Sequence, residues 1–80
     1  MKLPRVSSVH IISELKKKGF TEARHQGKGS HTALIRIDNT GQKLLIIIPK
    51  RDIVPIGTLL SIMRQGNFSR EEFIEILTGS

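Results

Sequence analysis

The 80-residue sequence contains no cysteine, tyrosine or tryptophan. The absence of cysteine excludes a disulfide framework, a thiolate metal site and a cysteine nucleophile, and it suits a reducing compartment. Long hydrophobic runs are also absent: the longest, Leu44 to Ile48, has five residues, against about 20 for a membrane-spanning helix. Polar residues and Pro4 interrupt any signal-peptide core near the start of the chain. We therefore expect a soluble, cytoplasmic protein.

Acidic side chains are scarce, with 7 Asp and Glu against 13 Lys and Arg, for a net charge of +6. Residues 1–28 contain only two of the acidic residues but seven of the basic ones: Lys2, Arg5, Lys16, Lys17, Lys18, Arg24 and Lys28. This concentration of positive charge favours a polyanion as partner, because each phosphate contact releases counterions. The alternative is that Lys16 to Lys18 only form the solvated face of a helix. Charge alone does not decide between the two.

Apolar periodicity predicts an amphipathic first helix over residues 8–18. Ser7 is suited to the N-cap position, and Gly19 is suited to the position that ends the helix. The residues that share the apolar sector of this helix are Val9, Ile11, Ile12 and Leu15.

Three strands are predicted next. The first lies between Phe20 and Gln26. In the second, residues 31–38, the side chains alternate between the two faces of the strand. Ala33, Ile35 and Ile37 lie on the face that we expect the helices to cover. Turn residues 38–41 connect it to an apolar third strand, residues 43–48, across a hairpin. Pro49 then ends the strand.

Two further helices complete the chain. Leu59, Leu60, Ile62 and Met63 mark a second helix that ends near Gly66. Residues 69–72 form a capping box, with Phe68 and Phe73 at the staple positions, which predicts a third helix over 70–77. The sequence therefore predicts a single α+β domain, residues 1–80, of order α-β-β-β-α-α. Its three-stranded antiparallel sheet is covered by helices on one face.

The chain offers few groups for catalysis. Its three histidines, His10, His25 and His31, lack metal-ligand spacing, and its carboxylates do not converge, so we expect no metal and no cofactor. The segment from His25 to His31 instead places two imidazoles, Lys28 and Ser30 around a Gly-rich turn. A histidine here could remove the proton of an RNA 2′-hydroxyl while Lys28 stabilises the developing negative charge.

The alternative for His31 is a structural role at the rim of the core, because it shares strand parity with Ala33, Ile35 and Ile37. His10, on the first helix beside the apolar sector, is also expected to be structural.

Several motifs together resemble the HicA (YcfA-like) mRNA interferase toxins. They are Leu3-Pro4-Arg5-Val6-Ser7, residues 15–20 ending in Gly-Phe, Gly29-Ser30-His31, Gly57-Thr58-Leu59 and Ser69 to Phe73. The resemblance spans nearly the whole chain. It implies a fold like that of double-stranded-RNA-binding domains, ribonuclease activity that arrests translation, and neutralisation by a HicB-type antitoxin protein. It also implies that the histidine of Gly-Ser-His, here His31, is catalytic.

The resulting hypothesis is a toxin of a type II toxin-antitoxin system that cleaves mRNA as a metal-independent endoribonuclease. His31 is the predicted general base or acid, and His25 is a possible secondary group. The predicted RNA-binding residues are Lys16, Lys17, Lys18, Arg24, Lys28, Gly29 and Ser30. The alternative is a non-catalytic module that binds double-stranded RNA or DNA with the same basic face. The small number of aromatic residues, three Phe, disfavours base stacking on an open sheet.

Overall fold

A computed structural model of the chain describes residues 2–23 and 31–79. The elements in chain order are α1 (Ser8–Lys17), β1 (Thr21–Glu22), β2 (His31–Ile37), β3 (Lys43–Pro49), α2 (Ile56–Gln65) and α3 (Arg70–Thr78). The strands form one antiparallel sheet in the order β1-β2-β3. The predicted α+β fold and element order are confirmed, with helix and strand ends within a few residues of the predicted ones.

Local capping signals explain where the first and third helices begin. The Ser7 hydroxyl accepts a hydrogen bond from the His10 amide at the start of α1. At the start of α3, the Ser69 hydroxyl accepts from the Glu72 amide, and the Glu72 carboxylate accepts from the Ser69 amide. The Phe68 and Phe73 rings stack with centroids 6.0 Å apart. Both the predicted capping box and the hydrophobic contact across it are confirmed.

The hairpin between β2 and β3 is built around Asp38. Its carboxylate accepts hydrogen bonds from the amides of Thr40 and Gln42 and from the Thr40 hydroxyl. Gly41 has φ 86°, a conformation that glycine adopts without steric cost. This turn sets the register in which His31 lies opposite Pro49 and Leu34 lies opposite Ile46.

The prediction that the helices cover Ala33, Ile35 and Ile37 is wrong. Only Ala33 of these three is buried, and Ile37 is 58 % exposed. The helices pack instead on the opposite face of the sheet, where Leu34 is fully buried beside its cross-strand partner Ile46. The side chains from the strands that join the helices in the core are Leu34, Leu44, Ile46 and Ile48.

The physical reason for this error is that the apolar side chains of β3, more than those of β2, determine which face of the sheet the helices cover. Alternate residues of β3 supply three large apolar side chains to the helix-covered face, and the register pairs Arg36 of β2 with one of them, Leu44. Arg36 is accommodated because its guanidinium lies 5.9 Å from the centroid of the Phe20 ring. A long amphipathic side chain can border a core in this way.

The first helix also departs from its predicted apolar sector. Ile11 and Leu15 are fully buried as expected, but Val9 is 72 % exposed. Glu14 is buried instead, and its carboxylate pairs with Lys17 at 3.0 Å. The buried face of α1 is therefore rotated away from Val9 towards Ser8, Ile11, Glu14 and Leu15.

Candidate functional site

His31 is the first residue of β2 and lies opposite Pro49, the last residue of β3. Its side chain is exposed. Because side chains alternate across a strand and Leu34 points into the core, His31 belongs to the face of the sheet that the helices leave open. The structure therefore places this exposed imidazole at one end of the sheet.

The two described histidines differ in what their rings contact. His10 Nε2 lies 2.6 Å from the Leu77 carbonyl oxygen, and since a carbonyl only accepts, the ring donates this bond. The ring of His31 makes no hydrogen bond or ion pair within residues 2–23 and 31–79. His10 thus links α1 to the end of α3, whereas the His31 ring makes no such bond to a described residue.

Five of the predicted site residues lie outside the described residues. They are Arg24, His25, Lys28, Gly29 and Ser30. Their roles stay predictions made from the sequence.

Lys16, Lys17 and Lys18, predicted to bind RNA, are exposed at the C-terminal end of α1. Two of them already have acidic partners: Lys16 pairs with Glu22 at 2.9 Å, and Lys17 pairs with Glu14 at 3.0 Å. These pairs reduce the positive charge that Lys16 and Lys17 present to solvent.

The position of the three lysines along the sheet also separates them from His31. The first turn of α1 is hydrogen-bonded to Arg51, just beyond the strand end that faces His31. The helix then runs to Gly19, which approaches Arg36 near the far end of β2. From residue 31 to residue 36 a strand advances about 16 Å. His31 and the lysine cluster therefore lie towards opposite ends of the sheet.

Two basic residues that are not among the predicted RNA-binding residues lie at the same end of the sheet as His31. Lys50 and Arg51 follow Pro49 directly, and both side chains are exposed. The only sequence signal for their placement was the predicted hairpin, because an antiparallel partner brings the residues after β3 next to those before β2.

The groups with shifted pKa values serve the fold and not the site. Hydrogen bonds from the Thr40 hydroxyl and from backbone amides lower the pKa of Asp38 in the hairpin. The Ser69 amide and hydroxyl lower the pKa of Glu72 in the capping box. Both carboxylates are held in their charged form by local donors.

Two features are absent from the described residues. Residues 2–23 and 31–79 contain no cluster of three His, Asp or Glu side chains arranged as for a metal ion. In the same ranges, no helix combines the length and the apolar character needed to cross a membrane.

Comparison with known proteins gives a match to a protein family. The family model described as the HicA toxin of bacterial toxin-antitoxin systems matches residues 10–67, a range that contains His31, Lys50 and Arg51. No curated protein matches the chain.

Proposed function

Since the HicA toxin family model matches well over half of the chain, this chain belongs to the HicA toxin family, and we propose that it acts as an mRNA endoribonuclease with His31 as catalytic residue. Membership implies a toxin with a cognate antitoxin. The proposal adds the chemistry by which the toxin acts and the residue that carries it. It also places the protein in the cytoplasm, where its mRNA substrate is found.

The observation that supports this proposal is the environment of His31. Its ring is exposed on the open face of the sheet and has no hydrogen-bond or ion-pair partner among the described residues. In the sequence, His31 directly follows Gly29-Ser30. An imidazole titrates near neutral pH, so it can accept or donate a proton there. The other described histidine, His10, is already hydrogen-bonded to Leu77.

The proposed reaction is an attack within the RNA strand. His31 removes the proton of a 2′-hydroxyl, the 2′-oxygen forms a bond to the adjacent phosphorus, and the bond from phosphorus to the 5′-oxygen breaks. The departing 5′-oxygen takes up a proton from solvent or from a protonated side chain. Nearby cations and backbone amides stabilise the extra negative charge on the phosphate oxygens. Each of these steps uses an imidazole, solvent, cationic side chains or backbone amides, so the proposed reaction requires no metal.

Replacement of His31 by Ala tests the assignment. We expect the cleavage rate to fall by about 10²–10⁴-fold, as is typical for a lost general acid or base. The melting temperature and the affinity for RNA should change little, because the ring is exposed and makes no hydrogen bond or ion pair with a described residue. His10→Ala is the matched control, and its cleavage rate should stay near that of the wild type wherever the variant is folded.

The alternative function, a non-catalytic module that binds double-stranded RNA or DNA, makes a different prediction for the same assay. Such a module would bind RNA with comparable affinity before and after His31→Ala, and neither protein would cleave it. The experiment therefore separates the two functions.

The proposed partner is a HicB-type antitoxin that covers His31 and blocks access of RNA. The open face offers such a partner an apolar surface, since Ile37 and Leu45 are exposed there and Ile35 and Ile47 are only partly buried.

A further inference from the structure

Ser8 is one of two buried polar or charged residues in the described part of the chain, with 3 % of its surface exposed. Its hydroxyl donates to the Arg51 carbonyl at 3.1 Å and accepts from the Arg51 amide at 3.0 Å. The Ser8 amide also donates to the same carbonyl at 3.0 Å. Three hydrogen bonds from one buried residue therefore hold the backbone of Arg51, whose own side chain is exposed.

This arrangement holds Arg51 close to His31. Residues opposite each other in an antiparallel pair have Cα atoms about 5 Å apart, and His31 is opposite Pro49. Arg51 is two residues beyond Pro49, so its Cα lies within about 13 Å of that of His31. A few nucleotides span such a distance, because the rise is about 3.4 Å per nucleotide along one strand of a duplex.

Lys50 and Arg51 also differ in electrostatics from the lysine cluster on α1. Across residues 2–23 and 31–79 neither forms an ion pair, although Asp52 follows them in the chain. Lys16 and Lys17, in contrast, are each within 3.0 Å of a carboxylate oxygen. A cation without a protein partner gains more from a phosphate, because no existing ion pair has to be broken first.

We propose that Lys50 and Arg51 bind the phosphate backbone of the RNA substrate beside His31, and that Ser8 is a positioning residue for Arg51. This inference rests on the proposed ribonuclease function and adds to it the residues that hold the substrate. The planar guanidinium of Arg51 can donate two parallel hydrogen bonds to a phosphate. A backbone held in place by Ser8 reduces the entropy lost when RNA binds.

The first test compares two double variants of equal charge change. Lys50→Gln with Arg51→Gln should raise the KM for RNA on the order of tenfold, with a smaller effect on kcat. Lys43→Gln with Arg64→Gln is the matched control, because both side chains are exposed and neither belongs to the predicted RNA-binding residues. Its effect on KM should be much smaller. Equal effects of the two double variants, or no effect of the first, would overturn the proposal.

The salt dependence of binding gives an independent measurement. With His31→Ala as a non-cleaving background, the slope of log affinity against log salt should become shallower by about 0.7 for each lost contact to single-stranded RNA. We expect this shallower slope when Lys50 and Arg51 are replaced by Gln in the His31→Ala background. An unchanged slope would show that these two side chains do not contact phosphate.

A double-mutant cycle tests the role of Ser8. Ser8→Ala should raise KM in the wild-type background but have little further effect in Arg51→Gln, because the residue acts through Arg51. The same rise in both backgrounds would mean that Ser8 supports only the fold. If Ser8→Ala does not fold, Ser8→Cys, which keeps a group of similar size, enters the same cycle.

These measurements distinguish this inference from the function on which it rests. If the wild-type protein neither binds nor cleaves RNA, the proposed function fails, and the inference fails with it. If the wild type cleaves RNA and substitution of Lys50 and Arg51 changes neither KM nor the salt slope, only the inference fails.

Discussion

At the scale of single residues, the two described histidines differ in the contacts of their rings. His10 is bound through Nε2 to the Leu77 carbonyl, in agreement with the structural role expected from the sequence. The resemblance of Gly29-Ser30-His31 to a family motif predicts a catalytic role for His31, whereas the residues alone leave a structural role open. Its exposed position on the open face provides the access that catalysis requires.

The bond between His10 and Leu77 leads to a stability prediction. His10→Ala removes a hydrogen bond between α1 and the C-terminal end of α3, and we expect the free energy of unfolding to fall by about 1 kcal/mol. For a domain of this size that corresponds to a decrease in Tm of roughly 4–8 °C. Thermal unfolding followed by circular dichroism measures it. A Tm equal to the wild-type value would show that the bond contributes little.

The residues that sequence reasoning missed are those whose position depends on distant parts of the chain. Ser8 and Arg51 are 43 positions apart and meet only through the folded sheet and helix. Nothing local to either residue indicates the contact. His31, in contrast, lies in a short motif that a family resemblance can identify.

At the scale of secondary-structure elements, local signals predicted most of the architecture. The capping box at Ser69 and Glu72, the turn at Asp38 and the stop near Gly66 are short-range features, and each is present in the structure. The covered face of the sheet was predicted wrongly because it depends on the register between β2 and β3. Three apolar residues on one side of β2 gave a locally reasonable but incorrect choice.

The capping box predicts a defined pH dependence of stability. Hydrogen bonds from the Ser69 amide and hydroxyl lower the pKa of Glu72 in the folded protein. Its stabilising contribution is therefore complete above the ordinary pKa of Glu and is lost as the pH falls through the lowered folded-state value. Glu72→Gln should lower Tm at pH 7 and reduce the drop in Tm between pH 7 and pH 3.

Glu71→Gln is the matched control for this measurement, because Glu71 lies in the same first turn of α3 but is not part of the capping box. Its drop in Tm between pH 7 and pH 3 should be closer to that of the wild type. Identical pH profiles for the wild type and Glu72→Gln would contradict the assigned role of the Glu72 carboxylate.

At the scale of the whole molecule, the sheet has one face covered by three helices and one open face, and His31 lies at one end of the open face. Two groups of basic residues in the described part of the chain lie towards opposite ends of the sheet, with Lys16 to Lys18 at one end and Lys50 and Arg51 at the other. Only the second group adjoins His31. Lys16 to Lys18, which belong to the concentration of positive charge in residues 1–28, therefore lie away from His31.

This asymmetry leads to a prediction for the antitoxin complex. An acidic antitoxin that inhibits by blocking RNA entry should cover His31 and the adjoining cations. Modification of histidines by diethylpyrocarbonate, followed by mass spectrometry, should then label His31 in the free toxin and much less in the complex. Equal labelling of His31 in an inhibited complex would mean that the antitoxin acts by changing the conformation of the toxin.

The central claim is that His31 cleaves RNA by activating a 2′-hydroxyl, and the chemical ends of the products test it most directly. We predict that the wild-type protein, in the presence of a chelator, yields fragments ending in a 2′,3′-cyclic phosphate and new fragments beginning with a 5′-hydroxyl. A folded His31→Ala variant that still binds RNA should yield almost none. Cleavage that persists in His31→Ala and disappears on adding a chelator would contradict both the assignment of the catalytic residue and the metal-independent mechanism.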